Sequence, residues 1–170
     1  MGISLHEASV PVFARMLRQL ARIVGKAAAH AEAQDLDPDV LLASRLHPDM
    51  YPLLQQVQIA CDAAVDGGAR LAQAEAPAFA GDERDFPALA ARIDRSIAFL
   101  ESLDSARFEG AEDRVVSWSA RGATVSVGGK AYLLNHAMPK FYFHLTTAYA
   151  ILRHDGVPLR KGDFMGKAEG

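Results

Sequence analysis

Apolar positions along most of the chain recur at spacings of three and four, the period of helices that bury one face. Val10, Phe13, Leu17, Leu20, Val24 and Ala28 keep that spacing over a first helix that ends near Ala33. Ser4 and Glu7 form a capping-box pair at its start. Pro11 is expected to kink the first turns or to mark a second start. The pattern then breaks over "QDLDPDVLLASRLHPDMYP", which carries three prolines. A long connection with one helical turn at Val40–Ser44 is expected there, and loops of this length in compact domains are often functional.

A second helix is predicted over Pro52–Ala72, with Leu54, Gln58, Cys61 and Val65 on one stripe and Leu53, Val57 and Ala64 beside it. After "AEAPAFAGDERD" a third helix starts near Phe86, where Phe86, Leu89, Ile93, Ile97 and Leu100 keep the cleanest spacing in the chain. The period then falls to two. Val116 and Trp118 alternate before a turn at Arg121-Gly122, and Val125 and Val127 after it, which predicts a β-hairpin. Gly128-Gly129 ends the hairpin, and a fourth helix is predicted over Lys130–His154. The sum is an all-α four-helix bundle with a long connection between its first two helices and a small β-hairpin before the fourth. Residues 1–158 are expected to form the bundle, and 159–170 a tail that packs first, through Leu159 and Phe164, and is then mobile.

Half of the 170 residues are hydrophobic and 23% are charged, enough for the core of one domain. A net charge of -3 without a basic, aromatic-interleaved stripe argues against a nucleic-acid binder. The single cysteine, Cys61, excludes an intrachain disulfide and suits a reducing compartment. No apolar run approaches the roughly 20 residues that span a bilayer, and the first residues lack the pattern of a secretory signal. A cytoplasmic protein without nucleic-acid or membrane partners is the expectation. No nucleophile elbow, P-loop, dinucleotide fingerprint or close Cys/His cluster is present.

Candidate chemistry concentrates in "NHAMPKFYFH", residues 135–144. Pro139 lies inside the fourth helix and removes the donor that the Asn135 carbonyl needs. The resulting kink either opens a pocket or only shapes packing; packing is the preferred reading, because prolines cause kinks wherever they occur. His136, Lys140 and His144 are spaced at four and four and form one ridge. The two histidines are about 12 Å apart along the axis, too far to share one ion on a straight helix. His144 sits in the most apolar part of the helix, where a histidine is more often a hydrogen-bonded core residue than a ligand. Gln58 is a polar group on an apolar stripe and meets His144 if the second and fourth helices face each other. His47, with Arg45 and Asp49, offers a polar rim or simply faces solvent. His30 and His154 lie near helix C-termini, where the dipole alone favours them. Cys61 reads as an inert buried thiol.

The segments "SLHEASVPVFARMLRQL", "RLHPDMYPLLQQVQIACDAA", "FEGAEDRVV" and "YLLNHAMPKFYFHLTTAYAILRHDGVPLRKGDF" resemble, over nearly the whole chain, a bacterial family of uncharacterised proteins in the DinB/YfiT-like superfamily. That resemblance implies a four-helix bundle of non-sequential arrangement, often a homodimer. Many relatives hold a divalent metal on three histidines, one from the second helix and an H-x3-H pair from the fourth, and some are thiol-dependent transferases or isomerases. Here Gln58 stands at the position of the first histidine, Lys140 at the second and His144 at the third. The resemblance therefore implies a metal site largely lost, with no cofactor expected. The leading expectation is a small-molecule pocket around Gln58, His144 and His136, with Lys140 and His47 as further ligand-binding candidates. A divalent metal, Zn or Ni, on His144 with His47 or His136 in a thiol transferase is the alternative. A purely structural, dimerising protein is the third reading.

Overall fold

The computed structural model describes residues 2–120 and 122–166. The expected turn residue Arg121 and the last tail residues, 167–170, lie outside the described residues. Helix α1 spans Leu5–Ala33, and both halves of the Ser4–Glu7 capping box are formed. Pro11 sits on the exposed side of α1, which runs through it without a second start. The long connection contains α2, Pro38–Ala43, capped by the Asp37 side chain. Then come α3, Leu53–Ala72, and α4, Phe86–Glu101, with Asp85 as its N-cap.

The hairpin is present as β1, Val115–Ala120, and β2, Ala123–Gly128, paired antiparallel so that Val116 faces Val127 and Trp118 faces Val125. Val116 is buried, and the Arg114 guanidinium ties the hairpin's root to the carbonyls of Leu71, Arg107 and Glu109. Gly129, just after β2, is packed so closely that an added Cβ would lie 2.0 Å from the Ala111 carbonyl oxygen. Only glycine fits there, which holds the hairpin close to the helix that follows.

That helix differs from its prediction. It begins as α5, Gly129–Tyr132, widens into one π-turn over Leu133–Ala137, and continues as α6, Met138–His154. The Met138 N–H donates to the Leu133 carbonyl, five residues back. The next donor in that wide register would be residue 139, a proline with none, so the ladder returns to its four-residue period there. Backbone angles stay helical throughout, from φ -57, ψ -51 at Tyr132 to φ -63, ψ -49 at Met138. The proline thus coincides with the end of a π-turn inside a continuous helical run.

The four long helices pack as α1 on α4, α4 on α3 and α3 on α6. Helices consecutive in sequence, α1 and α3, are not principal partners, so the bundle is non-sequential. Its core includes Phe13, Leu17, Leu53, Val57, Ile93, Leu133, Phe141 and Leu145, with Phe13 and Phe141 in edge-to-face contact at 5.0 Å. After α6, Leu159 is buried and α7, Lys161–Met165, lies on α1. There Lys26 meets Asp163 at 2.5 Å and Phe164 packs on Tyr149. No helix among the described residues is long and apolar enough to cross a membrane.

Candidate functional site

The packing of α3 on α6 brings together two polar ridges of the same pitch. Asp62, Asp66 and Arg70 recur at four on α3; His136, Lys140 and His144 recur at four from the π-turn into α6. Between these ridges and the hairpin lies a cavity of about 250 Å³. Asp66, Arg70, Trp118, Tyr132, His136 and Lys140 supply its polar and aromatic walls.

The aromatic wall is a three-ring cluster. The His136 ring lies 4.4 Å from Trp118 and 5.6 Å from Tyr132, centroid to centroid, and Trp118 and Tyr132 are 5.4 Å apart. The π-turn matters here because it carries Tyr132 at its start and His136 inside it. Burial pushes the Tyr132 phenol up to about 12, so it is a hydrogen-bond donor at any physiological pH. Burial, then the charges of Lys140 and Arg70, hold the His136 imidazole below its usual range, against Asp66. Arg70 donates to the Ser117 carbonyl at 2.8 Å and lies 4.0 Å from Asp66.

His144 lies farther along the ridge and outside this cavity. Its Nδ1 is 2.7 Å from Oε1 of Gln56, whose Nε2 donates to the Tyr51 carbonyl at 2.9 Å. With the amide so oriented, Nδ1 carries the proton and donates. Burial, and next the charge of Lys140, lowers the His144 pKa to about 4, so the ring is neutral.

The expected Gln58–His144 pairing is therefore corrected. Gln58 is half-buried and donates to Glu83 Oε2 at 2.7 Å, on the α4 side of α3. Gln56 is the residue that meets His144. The two positions differ by about 200° around a helix. α3 buries a broad face because α1, α4 and α6 all pack on it, and a polar residue such as Gln56 is tolerated there only because both ends of its amide are bonded. His47 is exposed, with Nδ1 2.5 Å from Asp49, and it does not line the cavity. Of the expected ligand-binding residues, His136 and Lys140 line the cavity, while Gln58, His144 and His47 do not.

A second polar cluster escaped the sequence reading. Arg92 of α4 is buried, bonds Glu83 at 2.9 Å and also pairs with Asp62; Phe79 stacks on its guanidinium at 4.3 Å. Burial alone would push the Glu83 carboxyl up, but the bonds from Arg92 and Gln58 hold it below its ordinary value. This cluster pins the 74–85 connection to the bundle. A charge run between prolines and alanines contains nothing that announces such burial.

The family resemblance implies three metal-ligand positions. Lys140 and Gln58 stand at two of the three implied positions, Gln58 faces Glu83, and His144 Nδ1 is taken by Gln56. Among the described residues no group of three His, Cys, Asp or Glu side chains is placed to hold one ion. Cys61 is fully buried beside Ser96, and burial pushes its thiol up to about 12, so it is not a thiolate.

A family model described as a domain of unknown function, DUF1993, matches residues 5–165. The crystal structure of a DinB family member from Shewanella denitrificans superposes with a TM-score of 0.92 at 39% sequence identity, covering 98% of this chain and 94% of that one. Among curated proteins, none matches the chain.

Proposed function

The chain belongs to the DUF1993 family, with a DinB-like fold, and from that premise we propose that it binds a small molecule between α3 and the helical run α5–α6. The observation that carries the reading is the cavity itself. It is walled by three aromatic rings and edged by Asp66, Arg70 and Lys140 on two facing helices. Convergent polar groups beside an aromatic wall are what fix and orient a ligand in a site. At about 250 Å³ the cavity is small, equivalent to about eight waters of bulk volume, so the ligand has few heavy atoms. The sequence expectation of a pocket between the second and fourth helices is kept, with its centre moved from Gln58 and His144 to His136 and Lys140.

The homodimer implied by the family resemblance is part of the proposal. Leu134 and Phe143, 49% and 56% exposed beside the pocket-forming ridge, favour it. Light scattering on purified protein reads it directly.

The pocket has a built-in reporter, because the chain has one tryptophan and it is Trp118. Its indole N–H gives a single resonance in a proton–nitrogen NMR spectrum. A mixed fragment collection should contain compounds that shift that resonance together with the amides of residues 66, 70 and 132–137. If fragments shift only resonances elsewhere, or none at all, the pocket reading fails.

A further inference from the structure

We propose that the α3–α6 pocket selects a small organic monoanion, a carboxylate with a short planar or apolar body. This rests on the pocket reading above and adds the chemical class of its ligand.

The first support is charge. Of the ionisable side chains lining the cavity, Arg70 and Lys140 are cations and Asp66 is an anion. Asp66 and Arg70 lie 4.0 Å apart on one helix and largely offset each other. Lys140, on the opposite helix, is the surplus charge. Lys140 also acts on Asp62, but Asp62 is paired with Arg92, and Glu83, the other partner of Arg92, also meets Arg95 at 3.8 Å, so that cluster is balanced without Lys140. The His136 ring is disfavoured as a further cation, since burial and the same two cations lower its pKa, against Asp66. One unbalanced positive charge calls for one negative charge on the occupant. The chain as a whole carries -3, so this local excess is not part of a general basic surface.

The second support is donor inventory. Lys140 and Arg70 carry N–H donors and no acceptor, and Tyr132 and Ser119 carry hydroxyls that can donate. Tyr132 cannot ionise in the physiological range, being raised to about 12. Among the lining side chains Asp66 is the one obligate acceptor, and Arg70 stands against it. A donor-rich lining suits an oxyanion better than an amine or an amide.

The third support is shape. The Trp118, Tyr132 and His136 rings form one wall, with centroids no more than 5.6 Å apart. An apolar or planar body fits that wall while its carboxylate faces Lys140.

The test titrates matched pairs, acetate with acetamide and benzoate with benzamide, against the full chain at low salt. Inorganic phosphate serves as a separate arm, and Trp118 fluorescence is read throughout. The carboxylates are expected to change the fluorescence saturably at up to tens of millimolar, the weak range for ligands of this size, and the amides are not. Lys140→Gln, at an exposed position, should weaken the better carboxylate about fivefold, and Asp66→Asn should tighten it by a similar factor. Opposite signs from the two variants separate a charge effect from simple loss of packing. Equal response to benzamide and benzoate would overturn the anion inference and leave the pocket reading standing. A response to phosphate alone would overturn the carboxylate assignment. Silence of Trp118 toward every carboxylate also overturns the inference, and silence toward the amides as well counts against the pocket itself.

Discussion

The Gln56–His144 pair gives the sharpest energetic prediction. Gln56 is 1% exposed, and its amide is used at both ends. His144→Leu keeps the apolar bulk but removes the donor to Gln56 Oε1. A buried acceptor left unpaired costs about 1–3 kcal/mol. Leucine's apolar surface at this half-buried position offsets roughly 1 kcal/mol of that, so the variant should lose about 1–2 kcal/mol near neutral pH. Gln56→Leu should lose a similar amount by stranding His144 Nδ1. The double variant removes both ends and should cost less than the sum of the singles, with a coupling of about 1 kcal/mol.

The same pair has a pH signature. The His144 pKa falls from 6.5 to about 4 on folding, by burial first and then by Lys140. Above 6.5 the ring is neutral in both folded and unfolded chains, and its contribution is complete. As pH falls toward 4 the unfolded chain takes up a proton that the folded chain refuses, so stability declines through that window and levels off below it. The ceiling is ~3 kcal/mol at 1.36 kcal/mol per unit; for a partly solvated ring about 1–2 kcal/mol is the working figure. His144→Leu lacks this loss, so the gap between variant and wild type should narrow as the solution is acidified. Urea denaturation followed by far-ultraviolet circular dichroism measures all four proteins across the range. Additive single variants, or a gap that does not change with pH, would refute the reasoning.

Three further outcomes follow from named contacts. Gly129→Ala drives a methyl into the Ala111 carbonyl oxygen and should cost at least about 2 kcal/mol, read as a lowered thermal midpoint; an unchanged midpoint would mean that the hairpin root is free to move. Arg92→Met leaves Glu83, 4% exposed, without its main partner and should cost about 3–5 kcal/mol. Adding Glu83→Gln should restore part of that loss in the same denaturation assay, and no recovery would contradict the account. Pro139→Ala, on an exposed turn, should stabilise by about 1 kcal/mol, less than the ~3 kcal/mol of an ordinary helix interior, because the π-turn already ends at the proline. A destabilised variant would show that the proline holds the π-turn in place.

The fold was largely legible because its determinants are local. The capping box at Ser4–Glu7, the 3-4 spacing of Phe86 to Leu100 and the alternation around Trp118 each announce an element within a few residues. The family resemblance then supplied the non-sequential order that spacing alone does not fix. The candidate site was legible in part: the His136–Lys140–His144 ridge was visible, and so was its placement against the second long helix. Three things were not. A π-turn adds one residue to a helix without a distinct sequence pattern. The buried face of α3 was set by three neighbours rather than one, which made Gln56 an inward residue and moved Gln58 to an edge. Trp118 reads as an ordinary hairpin residue until the hairpin is folded over the π-turn. Asp66 and Arg70, spaced at four on α3, were the available signal: their ridge has the same pitch as His136–Lys140–His144.

The central claim is that the ligand lies between α3 and the π-turn. It is tested most directly by a crystal of the protein grown with whichever compound moves the Trp118 resonance most. Electron density beside Trp118 and His136, with a polar group facing Lys140, is the predicted result. Density for that compound anywhere else on the bundle, with side chains filling the space between Asp66 and His136, would contradict it.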